Sequence, residues 1–189
     1  MILVIRPLSL NMISKKARQL SSIQHIQKSQ AIGEGGERRF YDSCRAAGKD
    51  IKKTKRADDM YRHTDFLVDG LTFDVKGLKE TQREGRIILE VLNVKGKMGW
   101  CNHKKKPEWV AFDFGPFFLC ALNEDLYDLT QDLCDLKDKA SNIKDSLWKG
   151  YTRKNRKDLM TTVLLQDVLD DCEHWFLPYN QYRSPMELL

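Results

Sequence analysis

The 189-residue sequence lacks the features that define several large protein classes. It has no apolar run near the roughly 18 residues that a membrane-spanning helix needs, so no membrane association is expected. Its five cysteines include no Cys-x-x-Cys pair, which argues against a structural zinc site or a disulfide framework and favours a reducing, cytosol-like compartment. Motifs for nucleotide binding, serine hydrolysis and zinc proteolysis, namely Gly-x-x-x-x-Gly-Lys-Ser/Thr, Gly-x-Ser-x-Gly and paired histidines on a helix, are also missing.

Acidic residues are absent from the first 33 positions, which instead carry lysine and arginine among serines. This composition fits an organellar transit peptide, or else a basic and partly helical arm. We expect an arm over residues 1–32, ended by glycines at 33, 35 and 36, and a protein of the cytoplasm, or of the host cytoplasm if the protein is viral. Organellar import remains the alternative.

The rest of the chain has the length and ordinary composition of one globular domain, which we place at 33–189. A strand-rich core is expected at 33–122 and a helical C-terminal part at 123–189. The helices there are predicted from leucine-rich stripes, one over Leu126–Leu136 and one over Leu159–Val168.

The most informative segment is a predicted β-hairpin centred on Asp69-Gly70, a turn that commonly joins two antiparallel strands. The turn sets a register in which Asp65 faces Asp74 and His63 faces Lys76. Because side chains alternate along a strand, two carboxylates and a lysine then share one face and apolar residues share the other.

Opposed carboxylates repel each other, so we expect a divalent cation between Asp65 and Asp74. Mg²⁺ prefers oxygen ligands, uses one or two protein carboxylates, and takes its other ligands from water and phosphate. The alternative is a solvent-facing hairpin in which Asp74 pairs with Lys76 and Asp65 is hydrated.

These residues, Thr64-Asp65 on one strand and Asp74-Val75-Lys76 on the next, resemble the pattern of the PD-(D/E)xK nuclease superfamily, and of its phage-type endonucleases in particular. The proline that often precedes the first Asp is missing here. The resemblance implies an α/β fold with a central mixed β-sheet flanked by helices, followed by C-terminal helices. It also implies Mg²⁺ or Mn²⁺ held by Asp65 and Asp74, with Lys76 acting on the attacking water.

A third acid on the helix before the hairpin is also implied by the resemblance. Glu37 would share a helix stripe with Phe40 and Cys44 and is the expected ligand, while Glu34 is the alternative if the helix starts earlier.

Two further residues near this motif carry open interpretations. Glu90 lies in an apolar run from Arg86 to Val94, predicted to be a central strand, and either orients Lys76 through a salt bridge or binds metal or water. His63 is either a base or metal ligand, or a hydrogen-bonded neighbour of the site.

Basic residues cluster in the glycine-containing loop from Val94 to Lys106. Lysines there would bind phosphates, and an exposed Trp100 would stack on a base; the alternative is a solvated basic turn. The predicted nucleic-acid contacts are Lys95, Lys97, Trp100, Lys104, Lys105 and Lys106. A second cluster, from Lys144 to Lys157, is expected to be a solvated helix face.

The sequence therefore predicts a metal-dependent nuclease, most simply a DNA endonuclease. The alternative of another class is a non-catalytic nucleic-acid-binding or virion-associated protein that keeps the fold. Within enzymes, a Holliday-junction resolvase, which would act as a homodimer, and an RNA nuclease fit the same residues.

Overall fold

The computed structural model describes residues 10–55, 63–102 and 107–179, with the backbone only for 10–26 and 102. Four α-helices lie in these ranges: α1 (Leu10–Ala46), α2 (Glu80–Arg83), α3 (Asn123–Leu133) and α4 (Leu165–Asp171). Two 3₁₀ turns cover Trp100–Asn102 and Ile143–Asp145. The strands are β1 (Ile51–Lys53), β2 (Phe66–Val68), β3 (Leu71–Lys76), β4 (Arg86–Leu92), β5 (Trp109–Asp113), β6 (Phe117–Leu122), β7 (Asp135–Lys139), β8 (Lys149–Gly150), β9 (Leu159–Leu164) and β10 (His174–Pro178).

Six strands form a central mixed sheet in the order β1-β2-β3-β5-β6-β10. β3 and β5 run parallel, and the other neighbours run antiparallel. β5 is buried along its whole length, as expected for a central strand covered on both faces. This arrangement confirms the predicted fold class, a central mixed sheet flanked by helices.

The two faces of the central sheet carry separate hydrophobic cores, because successive residues of each strand point to opposite sides. On one face α1 packs through Phe40 and Cys44 against Phe66, Phe73 and their neighbours. The other face is covered by β4, β9, α3 and α4, whose core residues include Ile87, Leu89, Leu126, Val163 and Val168.

The strand β4 is not in the central sheet, so that part of the prediction is wrong. β4 pairs with β9, antiparallel, in a two-stranded sheet layered over the core. Its burial alternates, with Ile87, Leu89 and Val91 buried and the residues between them half-buried. The apolar run is thus explained because one face of β4 packs on the core and its other face is partly covered.

The C-terminal part is less helical than predicted. The stripe from Leu159 to Val168 forms β9 followed by α4, and β10 adds an edge strand to the central sheet. The spacing of Leu159, Val163 and Leu164 fits a helix, but pairing with β4 holds these residues in a strand.

The predicted break at the glycines before Glu37 is also wrong, because α1 continues through them without interruption. The reason is a close approach between the helix and the end of β3. A Cβ atom on Gly36 would lie 2.7 Å from the Cα of Gly77, and one on Gly77 would lie 2.4 Å from the carbonyl oxygen of Ile32. Glycine is needed at this crossing for space rather than to end the helix.

Candidate active site

The β2–β3 hairpin forms as predicted. Asp69 and Gly70 have φ angles of 50° and 90°, and two successive positive φ values are the mark of a type I′ turn. The register pairs Val68 with Leu71, Leu67 with Thr72 and Phe66 with Phe73. The Asp-Gly turn therefore fixes which residues of β3 face the core and which face the site.

The ladder ends one step earlier than predicted, so Asp65 and Asp74 do not form a regular cross-strand pair. The backbone N–H of Asp65 donates to the carbonyl of Phe73 at 2.8 Å. Its carboxylate Oδ2 accepts a hydrogen bond from the backbone N–H of Val75 at 2.7 Å. The carboxylate of Asp65 is thus fixed against the backbone of β3, next to Asp74.

Both acids are almost fully buried, with 9% of Asp65 and 4% of Asp74 exposed. Burial raises the pKa of Asp65 to about 8, and the charge of Asp74 adds to this effect. The hydrogen bond from Val75 and the charge of Lys76 act in the opposite direction but do not compensate. Without a further cation, this environment therefore favours the protonated, neutral form of Asp65.

Lys76 is the cation of this site. Its Nζ lies 2.5 Å from Oδ2 of Asp74 and 4.9 Å from the ring centroid of Trp100, a cation–π distance. About 22% of the lysine side chain is exposed. The ammonium group is therefore positioned between a carboxylate and an aromatic face, with part of it still open to solvent.

Glu37 reaches the same region from α1. It follows Gly36, the residue that contacts Gly77 directly after β3, and its charge contributes to raising the pKa of Asp65. Its Oε2 lies 2.8 Å from Nζ of Lys53. Glu34, one helical turn earlier, is exposed, whereas Glu37 is half-buried.

Glu90 and Lys79 line a cavity of about 40 Å³ beside Lys76. Burial raises the pKa of Glu90, opposed by the charges of Lys76, Arg153 and Lys79. Glu90 forms no ion pair with another described residue, so the first of its two interpretations, a salt bridge with Lys76, is not formed. Lys79 is exposed as a residue but also lines the cavity, and loss of water around its ammonium lowers its pKa.

His63 lies before β2, half-buried and with a positive φ of 52°, a conformation that histidine adopts more readily than most residues. The predicted pairing of His63 with Lys76 is not part of the β2–β3 ladder.

The predicted nucleic-acid contacts divide into three groups. Lys95 and Lys97 are exposed in the turn after β4, as expected. Trp100 is only 5% exposed and packs against Phe112, which does not fit stacking on a base. Lys104, Lys105 and Lys106 lie outside the described residues.

Sequence reasoning missed a buried polar support beneath the site. The side chain of Gln82 donates to the carbonyl of Asp113 at 2.9 Å and accepts from the backbone N–H of Lys79 at 2.8 Å. Asp113, fully buried, accepts a hydrogen bond from Nε of Arg39 on α1 at 2.9 Å. No sequence motif marks these residues, because they are joined only when α1, α2 and β5 meet.

A complete metal-ligand cluster is not present among the described residues, since no three His, Cys, Asp or Glu side chains there are close enough to hold an ion. Two of the candidate ligands instead pair with lysines, Asp74 with Lys76 and Glu37 with Lys53.

Within the described ranges, no helix has the length and apolar character required to cross a membrane. Comparison of the chain with protein-family models, curated proteins and solved structures gives no match.

Proposed function

We propose that the protein is a Mg²⁺- or Mn²⁺-dependent nuclease that hydrolyses internal phosphodiester bonds of DNA. The observation that carries this proposal is the buried carboxylate of Asp65 beside Asp74, with Lys76 bound to the same group of acids. Two buried carboxylates are costly to keep ionised without a further cation, and the raised pKa of Asp65 is consistent with that cost.

The donor set fits a hard divalent cation. Asp65, Asp74 and Glu37 offer carboxylate oxygens, the ligands that Mg²⁺ and Mn²⁺ prefer. Asp65 and Asp74 would hold the ion, and Glu37 would join them directly or through water once released from Lys53. Such an ion supplies positive charge for the scissile phosphate and lowers the pKa of a bound water.

The chain's own residues would then perform distinct tasks. Val75 holds the Asp65 carboxylate in place through its backbone N–H. Lys76, released from Asp74 when that acid takes a cation, would donate hydrogen bonds to the attacking water or to a phosphate oxygen and stabilise developing negative charge. The face of Trp100 keeps the Lys76 ammonium within reach of the site.

The rival proposal is a non-catalytic nucleic-acid-binding or virion-associated protein. It is favoured by the ion pairs of Asp74 with Lys76 and of Glu37 with Lys53, which occupy two of the proposed metal ligands. The two proposals differ in what they predict for purified protein with Mg²⁺ or Mn²⁺. The decisive assay incubates wild type and Asp74→Asn with linear duplex, supercoiled plasmid, single-stranded DNA, a four-way junction and RNA, with and without EDTA.

We expect metal-dependent cutting of DNA by wild type and none by Asp74→Asn, with binding retained. Asp128→Asn, an exposed acid on α3, is the matched control and should cut like wild type. Cleavage of RNA but not DNA would identify an RNA nuclease, and junction cleavage by a protein of twice the monomer mass would identify a resolvase. Binding without cleavage on every substrate would support the non-catalytic alternative.

None of the five cysteines is part of a disulfide, which fits a reducing compartment, so we propose the cytoplasm as the site of action.

A further inference from the structure

We propose that two loops at the shared end of β4 and β9 form one basic surface that binds the phosphate backbone of duplex nucleic acid. The loops cover residues 93–98 and 152–158. The surface consists of Lys95, Lys97, Arg153, Lys154, Arg156 and Lys157. This inference rests on the proposed function only in assuming that the bound duplex extends to the candidate active site. Binding to the surface can be tested without cleavage.

The fold brings the two loops together. β4 and β9 run antiparallel, with Leu92 paired to Leu159, so the loop that leaves β4 lies beside the loop that enters β9. A Cβ atom on Gly96 would lie only 3.2 Å from the Cβ of Lys157, which shows that the loops are in direct contact. Two lysine clusters that are about 60 residues apart in sequence therefore become neighbours.

Apart from Arg153, the cations of this surface are not neutralised by ion pairs with other described residues. Residues 91–107 and 146–157 contain no Asp or Glu. Lys95, Lys97, Lys154, Arg156 and Lys157 are exposed, and none of them forms an ion pair with another described residue. The second cluster is thus not the solvated helix face that the sequence predicted, since it lies in a loop beside β4.

Arg153 is held in place at the inner edge of this surface. Its Nε donates to the carboxylate of Asp158, which is 1% exposed, and its backbone N–H donates to the same carboxylate at 3.0 Å. The arginine side chain stays 44% exposed. A guanidinium fixed through Nε keeps its outer nitrogens for a second acceptor, and phosphate is a good match for that geometry.

The basic surface adjoins the candidate active site. The charge of Arg153 acts on both Glu90 and Lys79 in the cavity beside Lys76. Glu90 pairs with Met160, roughly two residues or 7 Å along the strands from the Leu92–Leu159 pair. A duplex whose backbone follows this surface therefore leads directly to the catalytic lysine.

A repeating polyanion suits this surface better than an acidic protein segment. The cations are distributed over two loops rather than gathered around one pocket, as expected for contacts to successive phosphates that do not read sequence. Val94 and Met98, which flank Lys95 and Lys97 and are 40% and 46% exposed, can pack against the sugars.

The test measures equilibrium binding of a fluorescent 25-bp duplex in EDTA, by anisotropy, between 50 and 200 mM salt. The variant carries Lys154→Ala, Arg156→Ala and Lys157→Ala. The control carries Arg45→Ala, Lys49→Ala and Lys52→Ala, which removes three exposed cations near the hairpin turn, at the opposite end of β3 from Lys76. A thermal melt of each protein verifies folding, and Lys95→Ala with Lys97→Ala provides an independent second variant.

Each lost phosphate contact removes about 0.9 from the slope of log K against log salt, so the triple variant should lose about 2.7. Over this fourfold salt range, wild-type affinity should consequently fall about 40-fold more than that of the variant. The control should keep the wild-type slope. Equal slopes for wild type and variant, or an equal loss in the control, would overturn the proposal.

Four other probes separate the remaining partners. Duplex RNA and single-stranded DNA test whether the phosphate spacing of a DNA duplex is needed, while polyglutamate and phosphatidylserine vesicles represent acidic proteins and membranes. Tight binding to either of the last two, without binding to duplex, would overturn the proposal. If wild type binds duplex with the expected slope but cuts nothing with Mg²⁺ or Mn²⁺, the nuclease proposal fails and the basic surface stands.

Discussion

Asp65→Asn should stabilise the metal-free protein at alkaline pH while abolishing cleavage. Burial, with the charge of Asp74, raises the pKa of Asp65 from 3.8 to about 8. The folded state therefore binds the Asp65 proton more tightly than the unfolded state does. Ionisation of this group costs stability progressively as the pH rises from about 4 to about 8, and the cost is constant above that range.

The size of the effect follows from the same pKa. A difference of about 4 pH units corresponds to about 6 kcal/mol as an upper bound, at about 1.36 kcal/mol per unit. Water and neighbouring side chains rearrange around the charge, so we expect a gain on the order of 2–4 kcal/mol for Asp65→Asn at pH 8.5. The asparagine oxygen can still accept the hydrogen bond from Val75, so that contact is retained.

The assay is urea unfolding of wild type and Asp65→Asn in EDTA at pH 5, 6.5 and 8.5. The difference in unfolding free energy should grow steadily with pH in favour of the variant. Asp113→Asn is the matched control, since Asp113 is equally buried but is bonded to Arg39. Loss of this partly exposed pair should destabilise the protein by about 1–3 kcal/mol. A pH-independent difference for Asp65→Asn, or a loss of stability at pH 8.5, would refute the reasoning.

Three further predictions test the site and its support. Mg²⁺ at ten times its dissociation constant should stabilise wild type by about 1.4 kcal/mol, which raises the melting temperature by about 3–6 °C. The melting temperature of Asp65→Asn should not change. An equal shift in both proteins would mean that the ion binds elsewhere. Glu37→Ala should lower the cleavage rate about 10–100-fold with partial recovery in Mn²⁺, while Glu34→Ala changes little, and the reverse order in a single-turnover assay would make Glu34 the helix acid. Gly77→Ala should lower the free energy of unfolding in urea by about 1–3 kcal/mol, because its Cβ would lie 2.4 Å from the carbonyl oxygen of Ile32. The control Gly33→Ala, whose Cβ would have nothing within 4 Å, should raise that free energy by up to about 1 kcal/mol. An unchanged stability for Gly77→Ala would show that α1 can move away from β3.

Local rules predicted the parts of the site that depend on nearest neighbours. The Asp69-Gly70 turn selects its own geometry, and the register of β2 against β3 follows from it without any other part of the chain. The same rules failed one residue beyond Phe66, because the Asp65 carboxylate accepts the Val75 hydrogen bond in place of a continued ladder. A side chain that competes with the backbone in this way leaves no periodic signal in sequence.

Hydrophobic periodicity also did not predict which of the two sheets would contain β4. The run from Arg86 to Leu92 is apolar enough for a central position, and hydrophobic pattern does not state which strands will be its neighbours. Its pairing with β9 moved Glu90 away from the centre of the sheet to the edge of a cavity. The same pairing brought the loop at 152–158 next to the loop at 93–98, a contact that no local analysis of either loop contains.

The glycines before Glu37 show why the position of this acid could not be predicted from the sequence without the fold. A glycine-rich stretch is equally consistent with a chain break and with a close backbone contact, and only the partner distinguishes them. Here the partner is Gly77, directly after Lys76, so the helix passes the end of β3 at a distance that no larger residue permits. That contact places Glu37 close enough to act on the pKa of Asp65. Glu37, the proposed third acid, is thus positioned by two glycines that are about 40 residues apart in sequence, and moving α1 outward by the width of a methyl group would take Glu37 farther from Asp65.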